Sequence, residues 1–309
     1  MRAMILAAGM GSRLLPLTAA YPKCLMPVAN QPLLALNLNR LLRLGTETVV
    51  INTHHLHRQV EDFAAACRNN ILLSHEPELL GSGGALVKAR NLLGKDPFLV
   101  SNADIIHNLD LSLLAAAQRK HNLIACLGLT RDPRFNSVAI DRHGFLLGIK
   151  GYQPLPSHPD LYTFTGLACL SPRLLDYLPS RGVSSIVDAY LRALRGGEKI
   201  MGIPLPGRWD DLGAWHNLWE ANARAAGDKA GPRREKQYIL TAPGAEVAAE
   251  AVVEGFCFLS AGAKIEAGSY VRDSVLLPEA RVRTGSRVER SILGRGFTAR
   301  GSYHDGAFA

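Results

Sequence analysis

From Val247 to Leu277 a large aliphatic residue returns at every sixth position, as Val247, Val253, Leu259, Ile265, Val271 and Leu277. After one five-residue step the spacing resumes at Val282 and Val288. Neither an α-helix, with its period of 3.6, nor an ordinary strand, with its period of 2, places apolar residues at that interval. A period of six is the mark of the parallel β-helix built from hexapeptide repeats. Its coils are usually left-handed and take three hexads each, so about three coils are expected. Ahead of the repeat, residues 222–236 hold Arg224, Lys229, Arg233, Arg234, Lys236 and the breaker pair Gly231-Pro232, with few apolar residues, and read as a linker. The expected division is therefore 1–222, a linker at 223–237 and a β-helix domain at 238–309.

The N-terminal part follows a different pattern. An apolar run from Ala3 to Ala8 reads as a buried strand, and it stops at Gly9 and Gly11, where the backbone can turn tightly and approach a ligand closely. Arg13 and Lys23 follow, and no Asp or Glu occurs before Glu47, so the potential around this loop is positive and anionic ligands are expected. Taken alone, the glycine pair equally fits a plain turn. A dinucleotide-binding fold is excluded by its own requirements: Leu14 stands where the third glycine belongs, and no acid is present to hold a ribose diol.

Strand and helix signals then alternate, as in a parallel, right-handed βαβ sheet. Leucines at helical spacing from Gln31 to Leu44 end at Gly45, Thr48–Asn52 is β-branched and apolar, and His55–Ala66 reads as an amphipathic helix. His54, His55 and His57 lie close enough to suggest a metal, but no partner carboxylate pattern accompanies them and the helix reading is preferred. Ile71–Ser74 leads to Gly81, Gly83 and Gly84 ahead of a helix at Ala85–Leu93, a second place where amides can meet a flat or anionic ligand, or simply a flexible turn. Pro97–Asp104 reads as a buried strand that ends in an acidic residue, and Asp104 either faces a cleft beyond the strand ends or caps the next helix. Strand segments follow at 123–130, 137–141 and 145–149, residues 151–160 form a loop, and Tyr162–Leu170 is a strand whose Gly166 also fits a bulge in a plain core strand.

The stretch from Leu6 to Thr18, Leu-Ala-Ala-Gly-x-Gly-Ser-Arg-Leu-x-Pro-Leu-Thr, followed by Pro22-Lys23-x-Leu25-x-Pro27-Val28, closely resembles the signature of the sugar-1-phosphate nucleotidyltransferases, or nucleotide-sugar pyrophosphorylases. The resemblance runs through residues 1 to about 222. It implies a Rossmann-like three-layer α/β catalytic domain, here followed by a short left-handed parallel β-helix. It also implies a loop of Leu6, Ala7, Ala8, Gly9, Gly11 and Ser12 wrapping a nucleoside triphosphate, with Arg13 and Lys23 as the catalytic cations on its phosphates. Gly81, Gly83 and Gly84 would border the nucleobase, and Thr165 and Gly166 the hexose. Asp104 and Asp211, the latter chosen over Asp210 by the likeness of Trp209-x-Asp211-x-Gly213 to the family motif, would be the Mg2+ ligands. There are departures: Cys24 stands for a proline, Ser82 and Ala214 for threonines, and the Glu-Lys-Pro that holds the sugar phosphate is absent, with Lys150 a weak stand-in.

Composition agrees with a small anionic ligand. All of the net charge of +8 lies in residues 1–236, as 27 basic against 19 acidic side chains, while the repeat is balanced at eight against eight. No dense basic run interleaved with aromatics suggests nucleic acid. Five scattered cysteines without a Cys-x-x-Cys pair argue against disulfides and zinc and for a reducing cytoplasm; no apolar run of roughly 18 residues spans a membrane.

The expected activity makes a nucleotide sugar and pyrophosphate from a nucleoside triphosphate and a sugar 1-phosphate. The likeness leans to mannose- or heptose-1-phosphate guanylyltransferases, with N-acetylmuramate-1-phosphate or other hexose-1-phosphate uridylyltransferases as the alternative. A non-catalytic nucleotide-sugar sensor is disfavoured because the carboxylates and the lysine are kept. A β-helix acyltransferase is disfavoured because the histidine it needs is absent from 237–300, with His304 past the repeat. The open end of the coil suggests a homo-oligomer.

Overall fold

The computed structural model describes residues 1–230 and 237–309. The chain forms two compact units, Met1–Gly9 with Asn37–Trp209, and Met10–Leu36 with Asp210–Ala309. This division crosses the expected boundary at 222, because residues from the N-terminal loop are hydrogen-bonded to the C-terminal strands.

In the first unit, β1 (Arg2–Leu6), β2 (Thr48–Thr53), β3 (Ile71–His75) and β4 (Phe98–Asn102) run parallel in the order β4-β1-β2-β3. Their apolar runs are continuous because the central strands are covered on both faces, as Ala3, Met4, Ile5 and Val49–Ile51 show by being fully buried. The sheet is not parallel throughout. β5 (Ala125–Thr130) and β6 (Leu161–Leu170) pair antiparallel, β6 also lies antiparallel beside β4, and β7 (Ile200–Pro204) adds parallel to β5. A buried apolar run specifies a strand without specifying its direction, so the mixed sheet could not be read from the pattern.

The helices form near their expected places. Those relevant to the site are α1 (Leu33–Arg43), α2 (His57–Ala66), α3 (Gly81–Lys88) and α4 (Ile186–Arg195). The start of α3 is a correction: the helix begins at Gly81 rather than Ala85, so the glycines are its first turn and not a loop before it. Leu86, Phe98, Leu127, Ala168 and Tyr190 meet in the core of this unit.

In the second unit the C-terminal strands stack in parallel, consistent with a β-helix. Val252 lies opposite Tyr270, 18 positions on, and Tyr270 opposite Arg287, 17 positions on. The hexad side chains Leu259, Val271, Leu277, Val282 and Val288 are fully buried. A second sheet stacks four strands rather than three, through Glu246, Lys264, Arg281 and Thr298. The last turn is shorter, with Arg287 opposite Ser302 and Ile292 opposite Ala307, 15 positions on. That shortening hides the final turn from a six-residue spacing, and it places His304, expected past the repeat, inside the stack opposite Glu289.

Helix α5 (Trp215–Ala230) is a second correction, since residues 223–230 of the expected linker are helical; Gly231, Pro232, Arg233, Arg234 and Lys236 lie outside the described residues. Within this unit α5 and the coil hold the N-terminal loop. Asn30 Nδ2 donates to the carbonyls of Leu240 and Leu259, each at 2.9 Å. The fully buried Asn222 accepts the Ala29 N–H at 2.9 Å and donates to the carbonyls of Pro27 and Leu218 at 3.1 and 2.9 Å. The Trp219 indole donates to the Asp273 carbonyl at 2.7 Å.

Asn222→Ala leaves buried backbone groups of residues 27 and 29 unpaired, at about 1–3 kcal/mol each. Urea denaturation is expected to show a lowered midpoint, and an unchanged midpoint would contradict this role.

His107, buried in the first unit, accepts the Leu109 N–H on Nδ1 at 3.2 Å. Its pKa is pushed down from 6.5 to about 4, by burial first and by the positive charge of Arg40 second. The unfolded chain therefore binds a proton that the folded chain refuses between those values. The stability His107 contributes is complete above pH 6.5 and is lost as the pH falls toward 4. Denaturation midpoints measured across that window should fall less for His107→Gln than for the unaltered protein.

Candidate active site

In the first unit, the strand ends around the glycine loop are tied together by two buried polar side chains. The Ala7 N–H donates to Asn52 Oδ1 at 2.7 Å, and Asn52 Nδ2 donates to Glu76 Oε1 at 2.8 Å. The other carboxylate oxygen, Oε2, accepts the Leu80 N–H at 2.9 Å, while the Glu76 N–H donates to the Thr53 carbonyl at 2.8 Å. Glu76 is 0% exposed, and a carboxylate so buried is tolerable only when hydrogen-bonded. One side chain thus joins the ends of β1, β2 and β3 to the approach to α3. Leu6 and Ala7 are half-buried, Ala8 is buried and Gly9 is exposed. Neither Asn52 nor Glu76 was identifiable as a site residue from sequence, because their partners lie 45 and 24 positions away. An Asn closing one strand and a Glu just beyond another were the only signals.

The glycines of α3 are closely packed. The Gly83 N–H donates to the Ser184 carbonyl at 2.8 Å and the Gly84 N–H to the same oxygen at 3.4 Å. A Cβ on Gly81 would lie 2.7 Å from that carbonyl oxygen, one on Gly83 2.8 Å from Ser184 Oγ, and one on Gly84 2.5 Å from the Gly182 carbonyl. The three glycines let α3 approach residues 182–185. Ser82, in place of the family's threonine, accepts the Ile186 N–H at the start of α4 at 3.0 Å.

Thr165 and Gly166 lie in the strand β6. Thr165 is fully buried, its hydroxyl donates to the Gly128 carbonyl at 2.7 Å, and its own carbonyl accepts the Trp209 indole N–H at 2.8 Å. Gly166, at φ +79°, sits where β6 shifts register, and a Cβ there would meet the Asn102 side chain at 2.6 Å. Both residues belong to a core strand with a glycine irregularity. Asp104 occupies the turn between β4 and the strand Ile105–His107, half-buried, with no helix following for it to cap. Lys150 is exposed.

In the second unit, the loop from Met10 carries both cations. Gly11 has φ +66°, and its carbonyl accepts the Thr18 hydroxyl at 2.9 Å. A Cβ there would lie 2.8 Å from Thr18 Cγ2 and 3.1 Å from Lys23 Cβ, so this glycine is required both for the turn and for the approach of two later residues. Ser12–Leu14 and Lys23–Leu25 are single helical turns that present Arg13 and Lys23. Arg13 Nη1 lies 3.7 Å from Asp211 Oδ2, with side-chain exposures of 64% and 15%. Asp210 instead pairs with Arg224 at 2.8 Å. A Cβ on Gly213 would lie 2.5 Å from Arg13 Nη2, so the glycine of the Asp211-Leu-Gly213 motif is the space in which the guanidinium rests.

Residues 2–227 match the family described as Nucleotidyl transferase. The chain is 34% identical over 231 residues to an N-acetylmuramate alpha-1-phosphate uridylyltransferase of Neisseria meningitidis serogroup B, covering 73% of this chain and 98% of that protein. It is 28% identical over 299 residues to a mannose-1-phosphate guanylyltransferase of Mycobacterium tuberculosis, covering 93% and 83%. In fold it is similar to a UDP-glucose pyrophosphorylase from Acinetobacter baumannii, with a TM-score of 0.64 at 18% identity over 75% of this chain and 94% of the other.

Gly213→Ala is expected to push the Arg13 guanidinium away from Asp211 without disturbing the core. The exposed pair is itself worth only about 0–1 kcal/mol, so the fold should keep its stability while the displaced cation weakens nucleoside triphosphate binding. Calorimetric titration beside a thermal melt checks it. Unchanged affinity at an unchanged melting temperature would remove the Arg13 placement from consideration.

Proposed function

The chain belongs to the nucleotidyl transferase family, and from that premise we propose that it joins a nucleoside triphosphate to a sugar 1-phosphate through Arg13, Lys23, Asp104 and Asp211. The family is that of the sugar-1-phosphate nucleotidyltransferases. The observation that carries the residue assignment is Arg13 beside Asp211, in the space left by Gly213.

An oxygen of the sugar 1-phosphate attacks the α-phosphorus, a new P–O bond forms, and the bond to the β-phosphate oxygen breaks with its electron pair leaving on pyrophosphate. Positioning and charge neutralisation do most of the work in such a transfer. The loop of Leu6, Ala7, Ala8, Gly9, Gly11 and Ser12 receives the triphosphate; its first half is anchored through Asn52 and Glu76, its second through Thr18. Arg13 offers a planar fork to phosphate oxygens and Lys23 a mobile point charge. Asp104 and Asp211 are the residues we assign to Mg2+, which when bound neutralises charge on the phosphates.

For the substrate pair we take mannose or heptose 1-phosphate with GTP. It is supported by the likeness of Glu76–Gly84 to guanylyltransferases and by the 299-residue match to the mycobacterial relative. The 34% identity to the N-acetylmuramate enzyme favours UTP as the second reading. Residues 1–222 are the catalytic part in this reading. We take 238–309 as a left-handed β-helix whose open end joins a second copy. A cytoplasmic location fits its five free cysteines. Among the described residues, no helix is long and apolar enough to cross a membrane.

Pyrophosphate release measured over the common triphosphates crossed with a panel of sugar 1-phosphates is expected to be largest for GTP with mannose or heptose 1-phosphate, and UTP with N-acetylmuramate 1-phosphate would overturn that choice. Asp104→Asn and Asp211→Asn should each lower turnover by orders of magnitude with an unchanged melting temperature. Lys23→Ala should lower catalytic efficiency for the triphosphate. Near-normal turnover in either aspartate variant would sink the metal assignment.

A further inference from the structure

Of the three close histidines, only His57 enters a cluster, and its partners come from elsewhere in the chain. Glu61 stands one turn further along α2, and His75 closes β3. One ligand atom from each of His57, Glu61 and His75 lies within 4.8 Å of the others. His57 Nδ1 is 2.9 Å from Glu61 Oε1, both side chains being 37% exposed, and the two imidazole rings have centroids 4.4 Å apart with an interplanar angle of 49°. His54 is diverted from this group, its Nδ1 lying 2.8 Å from the Glu76 carbonyl.

We propose that His57, Glu61 and His75 form a binding site for a borderline divalent transition metal of the zinc class, distinct from the magnesium carboxylates. The donor set decides the metal. Two imidazoles and one carboxylate suit zinc, cobalt or nickel, whereas magnesium and calcium take oxygens. Ligand atoms around a tetrahedral ion with bonds of about 2.0–2.1 Å sit roughly 3.3 Å apart, which side-chain rotation reaches from the separations here.

The scaffold supports the geometry. The helical i,i+4 spacing brings His57 and Glu61 onto one face. His75 Nδ1 lies 3.3 Å from Thr53 Oγ1, and with that nitrogen turned to the hydroxyl, Nε2 is the one presented outward. A hydrogen bond to the ring nitrogen facing away from the ion commonly fixes a metal-binding histidine. Lys88 Nζ donates to the His75 carbonyl, holding the strand end from the other side. With three protein ligands at a solvent-accessible place, the fourth position is left to water.

The test is a Co2+ titration of the full chain, purified without a histidine tag and kept in excess Mg2+ so that oxygen-only sites are filled. The unaltered protein and Asp104→Asn are expected to bind one equivalent with a visible absorption band that Zn2+ removes. His57→Ala and His75→Ala should lose the band, and Glu61→Gln should weaken it. Thr53→Val should lower affinity by roughly 10- to 100-fold, as outer partners of metal ligands do. Circular dichroism of each variant reports whether it is folded. No band in the unaltered protein, or a band that survives both histidine substitutions, overturns the site. A band lost in Asp104→Asn and kept in the histidine variants also overturns it, because the ion would then lie on the carboxylates.

Discussion

The first unit depends on how the ends of its parallel strands are held, and the buried Glu76 carboxylate is the main tie. Strands that stop at a ligand-binding edge leave backbone donors without sheet partners, and such groups must be paired when water is excluded. Asn52 takes the Ala7 N–H, Glu76 takes Asn52 and the Leu80 N–H, and the Glu76 amide returns to Thr53. The chain leaving β1 and the chain entering α3 are therefore set by the same carboxylate. The neighbouring His75 and His54 are held at this edge as well, through Thr53 and through the Glu76 carbonyl.

The second unit solves a related problem by different means. A loop rich in proline and short helical turns cannot satisfy its own backbone, and residues 27–30 are paired by Asn222 from α5 and to the coil by Asn30. The C-terminal repeat is thus part of the support of the loop that bears Arg13 and Lys23, beyond any part it has in assembly. The coil itself is held by stacked aliphatic side chains that each turn buries against the next, so its order is built up turn by turn.

Glycines show how one residue type serves several ends. Gly11 turns the chain and admits Thr18 and Lys23; Gly213 leaves room for a guanidinium; Gly81, Gly83 and Gly84 bring a helix against residues 182–185; Gly166 clears Asn102. In sequence all of these look like ligand-contact glycines, because the absence of a side chain is visible there and what occupies its space is not.

The sequence by itself determined the family, through the 6–28 signature, and the stacked C-terminal strands, through the six-residue spacing, because both are local patterns. It also singled out Asp211 over Asp210 by motif, while their partners, Arg13 and Arg224, are seen only in the fold. Only the tertiary structure decided how the polar groups are paired. The Thr165 hydroxyl meets the Gly128 carbonyl, the Gly83 and Gly84 amides meet the Ser184 carbonyl, and Glu76 ties the strand ends to the approach to α3. The antiparallel entry of β6, the helical state of 223–230 and the final 15-residue turn holding His304 were likewise settled there. The physical reason is common to all: spacing along the chain encodes periodicity and backbone preference, whereas hydrogen-bond satisfaction and close packing depend on partners tens to hundreds of residues away.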